Sequence, residues 1–335
     1  MIFFIIIIFF LKFEFSKHTF FKNKLTMDLF NKINFTKYDY GSIEFKEEIG
    51  SGANSTVYRC KADGKILAVK EYDTIRWGDI SQFYDDFNYE LNVANHTQGC
   101  ERVTKTYGIS KNNDHVYLLM EYLGKNDLYD DLQKNYYWKA CYKYNNILSP
   151  EPENGYTIYN EDQDIYWNFT MNKEFKLKLS RRLLESLKEL HDRCIVHGDI
   201  KSNNATVCKR TGGNVKLIDL GSSTMMDEKK LVKIDGKYGT EGYMAPEQYN
   251  FWIGYKSDVY SVAVVLVEIW CGDIWENGTG YKPCRNEVLK CVRKMEKSDD
   301  KQMHDYTKLL RKCLSTDMDK RLNADKFLKK FNEIF

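Results

Sequence analysis

The 335-residue chain exceeds a minimal domain and fits either two ordinary domains or one large bilobed one. Lys and Arg total 50 against 48 Asp and Glu, and a net charge of +2 gives no general attraction to nucleic acid or anionic membrane. A content of 43% hydrophobic and 29% charged residues excludes a disordered chain, and nine cysteines without a CxxC pair exclude a zinc ribbon and argue against a disulfide framework. Reduced thiols in a cytoplasmic protein are the expectation. Asn-X-Ser/Thr triplets at Asn34, Asn54, Asn95, Asn168 and Asn277 carry no weight in so Asn-rich a sequence.

The N-terminal run Met1 to Leu11 is apolar, but Lys12 and Glu14 cut it short of a membrane span, and no basic residue opens it as in a signal peptide. Initiation at Met27 competes with a genuine anchor, and residues 1–42 are expected to lie outside the fold. From Ile43 the pattern becomes strand-like through Gly50, Thr56 to Cys60, an Asp63-Gly64 turn and Ile66 to Lys70. A helix is expected around Glu90, then strands Arg102 to Ile109 and Val116 to Met120 about a turn at Lys111 to Asp114. Beyond Tyr122, Leu179, Leu183, Leu187 and Leu190 recur at helical spacing, as do Val262, Leu266 and Ile269. A small β-rich lobe (43–122) thus precedes a larger helical one (123–335). Within the latter, residues 139–172 form an insert holding Pro150, Pro152 and several acids among Tyr142, Tyr144, Tyr156, Tyr159, Tyr166 and Trp167, either a docking surface or a family-specific elaboration.

Gly50-Ser51-Gly52 lies between two expected strands, where bare backbone can approach phosphates; alone, such a turn is usually only a hairpin. Lys70 ends the apolar strand Leu67-Ala68-Val69, and a buried Lys needs an anion, which Glu90 can supply. His197-Gly198-Asp199-Ile200-Lys201-Ser202-Asn203-Asn204 follows, then Asp219-Leu220-Gly221 after a strand-like Asn214 to Ile218. A carboxylate, a Lys and an Asn within six positions suit proton acceptance, phosphate neutralisation and metal ligation, and a second Asp suits Mg²⁺. Gly239 to Glu247, Asp258 and Arg321 complete the series.

Taken in this order, the motifs resemble those of the eukaryotic-type protein kinase family, Ser/Thr-like, across about residues 43 to 335. The resemblance implies an α+β bilobed fold, with a small antiparallel β lobe carrying one helix and a larger mainly helical lobe. It implies Mg-ATP and a protein Ser or Thr hydroxyl as reactants, a monomer, no nucleic-acid partner, and no membrane unless residues 1–26 are an anchor. By the same resemblance, Ile49, Gly50, Ser51, Gly52, Ala53, Asn54, Ser55, Thr56 and Val57 surround the nucleotide with Ala68, Glu121, Leu123 and Asp127, and Met120 is the gatekeeper. Lys70 meets the α- and β-phosphates and Glu90 holds it; Asp199 receives the hydroxyl proton; Lys201 neutralises the transferring phosphoryl; Asn204 and Asp219 bind Mg²⁺. Glu247, Arg321 and Asp258 are structural. Departures from the family pattern are Ser55 for the third glycine, Leu220 for Phe, Thr206 for an aliphatic residue, Gly198 for Arg, and Ser202-Asn203 for Pro-Glu. A small-molecule kinase shares the His-Gly-Asp triplet but generally lacks Ala245-Pro246-Glu247, and a pseudokinase usually loses the Lys or an Asp that stand here at 70, 199 and 219.

Overall fold

The computed structural model describes residues 35–52, 55–74, 80–112, 114–132, 156–160, 165–169, 172–208, 213–226, 231–234, 239–272 and 285–335. The run Met1 to Leu11, Met27, Ala53, Asn54, Lys229, Lys230, Tyr238 and most of the 139–172 insert lie outside them. Contacts group the chain into two units, Met1–Asn95 with Lys105–Tyr122 and His96–Thr104 with Leu123–Phe335.

Among the described residues, the first unit is a six-stranded sheet and one long helix. β1 (Thr36–Lys37), β2 (Glu44–Ser51), β3 (Ser55–Ala62), β4 (Lys65–Asp73), β5 (Thr106–Lys111) and β6 (His115–Glu121) lie in the order β1-β5-β6-β4-β3-β2, and α1 spans Ile80–His96. The β3–β4 hairpin turns at Asp63-Gly64, both at positive φ (48° and 73°), the backbone a tight two-residue turn demands. β4 is buried on both faces. Leu67 and Val69 pack with Ile43, Cys60, Tyr117 and Leu119, while Tyr72 packs with Phe83, Phe87 and Leu91 of α1. That double burial explains why β4 reads as a continuous apolar run with Lys70 inside it.

Two expectations need correction. The sheet begins before Ile43: β1 pairs in parallel with β5 (Thr36↔Gly108, Lys37↔Ile109), Tyr38 N–H donates to the Ile109 carbonyl at 2.8 Å, and Tyr40 stacks on Tyr117 at 5.2 Å. Gly108 makes this approach possible, since a Cβ there would stand 2.3 Å from the Thr36 carbonyl oxygen. A two-residue strand has no periodicity to read, which is why composition placed the segment outside. Likewise the strand expected from Arg102 starts only at Thr106. Residues 102–104 instead join the second unit, where Thr104 N–H donates to Leu217 O and Leu217 N–H to Arg102 O, while Arg102 pairs with Glu185 at 2.8 Å.

The second unit is mainly helical. In the insert, β7 (Tyr156–Asn160) and β8 (Ile165–Phe169) form an antiparallel ladder that the sequence did not announce. α2 (Lys173–Asp192) starts where Asn172 accepts the Phe175 N–H, and buries Leu179, Leu183, Leu187 and Leu190. The short strands β9 (Ile195–Val196), β10 (Ala205–Cys208), β11 (Asn214–Leu217), β12 (Thr224–Met225), β13 (Val232–Lys233) and β14 (Trp252–Ile253) pair as β9–β12, β10–β11 and β13–β14. α3 (Tyr255–Cys271) is buried at every position from Ser257 to Ile269, so it is the unit's central helix. α4 (Arg285–Met295), α5 (Lys301–Cys313) and α6 (Ala324–Ile334) follow, each amphipathic. Among the described residues the cysteines are free, and no helix is long and apolar enough to cross a membrane.

Substituting Gly108→Val should detach β1, because backbone rather than a flexible side chain blocks the new Cβ. The expected cost is roughly 1–3 kcal/mol in chemical denaturation, together with faster amide exchange at Tyr38, whose acceptor is lost.

Candidate active site

In the first unit the β2–β3 turn brings Gly50 opposite Val57 and Ser51 opposite Thr56, and Gly52 N–H donates to Ser55 O at 2.8 Å. A Cβ on Gly50 would meet nothing within 4 Å, so packing inside the chain does not require glycine there. Val57 stands opposite Lys70 on β4, and Ala68 opposite Met120 on β6. Because side chains alternate along a strand, Ala68, Lys70 and Tyr72 share one face. On that face Lys70 Nζ lies 3.2 Å from Glu90 Oε1, with both side chains about nine-tenths buried. The pairing expected from sequence is therefore present. Tyr72 was not singled out from sequence, yet its hydroxyl donates to Glu90 Oε2 at 2.6 Å. Glu121 N–H is committed to Lys105 O at 2.8 Å.

In the second unit, β9 leads into the loop 197–201 and a 3-10 turn at Ser202–Asn204. Asp258, 1% exposed near the start of α3, accepts from the backbone N–H of His197 (2.7 Å) and of Gly198 (3.0 Å), and His191 Nε2 lies 3.0 Å from it. His197 Nε2 must carry its proton to donate to the Ile218 carbonyl at 3.0 Å, which leaves Nδ1 to accept from Asp199 N–H. The loop is thus anchored immediately before Asp199.

Three groups converge on the Asp199 carboxylate. Thr240 Oγ1 donates to Oδ1 at 2.7 Å, Lys201 Nζ lies 3.1 Å from Oδ2, and Asn204 Nδ2 donates to Oδ2 at 3.1 Å. Lys201 also donates to Thr240 Oγ1 at 2.9 Å, closing a ring of contacts. Ile218 N–H donates to Asn204 O, and the β10–β11 register (Ala205↔Leu217) sets Asn204 and Asp219 at one end of that hairpin. Asp219 has φ +60°, a left-handed conformation uncommon outside glycine that marks a constrained site. Among the described residues no group of three His, Cys, Asp or Glu side chains could hold a metal. Two oxygen donors, Asn204 and Asp219, fit Mg²⁺ as it is usually held, by one or two protein ligands with substrate phosphates supplying the rest.

Other expected residues turn out to have internal partners. Asp127 Oδ1 accepts the Asp130 N–H at 2.8 Å, Oδ2 accepts from Asn203 Nδ2 at 3.0 Å, and burial pushes its carboxyl up. Thr206 is buried on β10 opposite Lys216. Leu123 belongs to the second unit. Gly198 has φ +82°, and a Cβ there would stand 2.5 Å from Ser222 O and 2.9 Å from Ile253 Cδ1, so the departure from Arg is imposed by the backbone here. Gln248, unremarked in the sequence, donates to Gly198 O at 3.0 Å and accepts the Ala245 N–H at 2.8 Å. The Arg321 guanidinium grips Glu247 bidentately at 2.7 and 2.8 Å and also donates to Ser315 O and Lys256 O.

The family model for the protein kinase domain matches residues 43–331, and the chain belongs to that family. It is 26% identical to wall-associated receptor kinase-like 3 of Arabidopsis thaliana over 82% of this chain and 35% of that protein. It is also 26% identical to a probable serine/threonine-protein kinase of Dictyostelium discoideum, over 90% of this chain and 20% of the other. Mitogen-activated protein kinase kinase kinase 1b of Physcomitrium patens is 26% identical over 84% of this chain and 32% of its own length. The chain therefore spans about a third or less of the relatives it matches.

Arg321→Met should destabilise the protein by about 3–5 kcal/mol, because it strands a part-buried Glu247 carboxylate and removes donors from two carbonyls. Urea denaturation checks this, and the double substitution Glu247→Leu with Arg321→Met should recover part of the loss.

Proposed function

We propose that the chain is an active protein serine/threonine kinase, transferring the γ-phosphoryl of Mg-ATP to Ser or Thr hydroxyls of a protein. The observation that carries the reading is the Asp199 carboxylate, held by Thr240, Lys201 and Asn204 on a loop fixed from behind by Asp258. A carboxylate offers about four acceptor positions. Three are occupied by orienting donors, so one remains for the acceptor hydroxyl, whose proton Asp199 takes as the hydroxyl oxygen attacks phosphorus. Lys201 stands beside that carboxylate to neutralise charge on the transferring phosphoryl. Lys70, oriented by Glu90, contributes a positive charge for the α- and β-phosphates, and the Gly50–Val57 turn offers backbone N–H groups. Asn204 and Asp219 would hold Mg²⁺, which supplies charge neutralisation on phosphate oxygens.

Lys201, two positions after Asp199 and bonded to Thr240, supports Ser/Thr over Tyr, as does the similarity to a probable serine/threonine-protein kinase. The Glu247–Arg321 pair supports a protein rather than a small alcohol as acceptor, since it fixes the segment that the small-molecule kinases generally lack. Purified protein with Mg-ATP and generic protein substrates should give phosphoserine and phosphothreonine, and Asp199→Asn should cut the rate by roughly 10²–10⁴-fold while unfolding as wild type does. Predominant phosphotyrosine, or an unchanged rate in Asp199→Asn, overturns the reading.

Activity should not require phosphorylation of the activation segment, Ser222 to Met244. Gly198 offers no cation for such a phosphate, and the segment already has neutral anchors, Ser223 Oγ to His197 O (3.3 Å) and Thr240 to Asp199, with Gln248 just beyond it bonded to Gly198 O. Ser223 and Thr240 are thereby internal partners rather than free acceptors. Phosphatase-treated protein should keep most of its initial rate; a hundredfold fall, about 3 kcal/mol in barrier, restored by phosphate on Ser222, Ser223, Thr224, Tyr238 or Thr240, contradicts this.

A further inference from the structure

The two carboxylate oxygens of Glu90 go to different donors on the same strand. Oε1 faces Lys70 Nζ at 3.2 Å, and Oε2 accepts from Tyr72 Oη at 2.6 Å. A lysine ammonium is a compact charge on a flexible stem with three rotatable donors, so by itself it fixes neither the plane nor the rotation of the carboxylate it meets. A second donor at i+2 on the same face of β4 supplies what the first lacks.

Tyr72 is built to be that donor. Its ring is 5% exposed and packs against Phe87 edge-on at 5.4 Å and Phe83 at 6.1 Å, both on α1, so its orientation is set by the helix that carries Glu90. The Lys70 ammonium also lies 5.1 Å from the centre of the same ring, near enough for attraction between the cation and the aromatic face. Any buried tyrosine hydroxyl seeks a partner, and a backbone carbonyl would have served. Here the partner is the second oxygen of the Glu90 carboxylate whose first oxygen faces Lys70. Burial and the neighbouring Glu90 push the phenol well above its ordinary range, so the hydroxyl stays protonated and donating wherever the protein is folded.

We propose that Tyr72 is a positioning residue for phosphoryl transfer: its hydroxyl clamps the second oxygen of Glu90, turning a swivelling ion pair into a two-point contact that fixes the Lys70 ammonium. This role rests on the kinase reading above. Tyr72 touches no reacting atom and acts only through Glu90. The clamp also ties α1 to β4, so a helix that moved away would have to break a charge-assisted hydrogen bond in addition to the ion pair.

Tyr72→Phe keeps the ring and removes only the clamp. It should lower kcat about tenfold or more, with the KM for the protein acceptor unchanged. Ile109→Val, a conservative change in the same apolar cluster, controls for lost stability: assayed well below both melting midpoints, it should keep wild-type kcat. In a Glu90→Ala background the same Tyr72→Phe change should cost less than threefold, because the carboxylate it orients is gone. Wild-type kcat in Tyr72→Phe, a loss no greater than that of Ile109→Val, or losses that multiply in the double variant would each overturn the clamp. Absence of phosphoryl transfer by the wild-type protein is a different result: it removes the kinase reading, and the positioning role falls with it.

Discussion

The Asp258 carboxylate, shut inside the second unit, determines the path of the loop on which Asp199 stands. Its two oxygens take the N–H groups of consecutive residues, His197 and Gly198, at 2.7 and 3.0 Å. Two successive peptide N–H groups can converge on one anion only if the chain bends sharply between them, and the bend appears as φ +82° at Gly198. Everything downstream inherits that bend. The His197 ring is turned to Ile218, the carbonyl of Gly198 is presented to Gln248, and Asp199 is delivered to Thr240, Lys201 and Asn204. An unpaired carboxylate at this depth would be costly, and the loop's own N–H groups are what make it tolerable.

The Lys70–Glu90 pair was legible in the sequence from its demanding chemistry, and the run His197 to Asn204 from its dense polar spacing. Lys70 on an apolar strand called for an anion, and Glu90 is there. The helices of the second unit were equally legible, since Leu179, Leu183, Leu187 and Leu190 lie on one buried stripe. What escaped was set by contacts between distant segments. β1 exists because Gly108, about 70 residues on, leaves room for Thr36. Residues 102–104 looked like the start of a strand, and they do pair, but with Leu217 within the second unit rather than with the first unit's sheet. Gln248 and Tyr72 carry no motif at all; a Tyr two residues beyond a strand Lys reads as an ordinary core aromatic until its hydroxyl is seen against Glu90.

Two of the buried charged clusters are ion pairs: Lys70 with Glu90 beside Tyr72 in the first unit, and Glu247 with Arg321 in the second. Replacing such pairs by apolar residues of similar volume is often neutral or stabilising, so their presence is weak evidence of a contribution to stability. Geometry is the better account. Arg321 joins Glu247 to the carbonyls of Ser315 and Lys256, fixing the residues after Ala245-Pro246 against the start of α3 and the turn before α6. The same α3 presents Asp258 to the 197–198 loop. One helix, buried along nearly its whole length, therefore holds the loop that carries Asp199 and the segment that carries Thr240. Since Thr240 and Asp199 are hydrogen-bonded to each other at 2.7 Å, their separation is fixed twice, once directly and once through α3.

That double fixing bears on the absent arginine. Where an Arg precedes the catalytic Asp, a phosphate on the activation segment can be the link that brings segment and loop together. In this chain a side chain at that position would run into Ser222 O, at the start of the segment, and Ile253 on β14, both of which already lie against the loop. The space an arginine needs is occupied by the contacts it would otherwise have to recruit. Ser223 donates to His197 O, β12 pairs with β9, and Gln248 reaches Gly198 O, all without net charge. Neutral anchors of this kind do not answer to the addition or removal of a phosphate in the way an Arg would. In the first unit, α1 is attached to β4 at a discrete point, where Glu90 meets Lys70 and Tyr72.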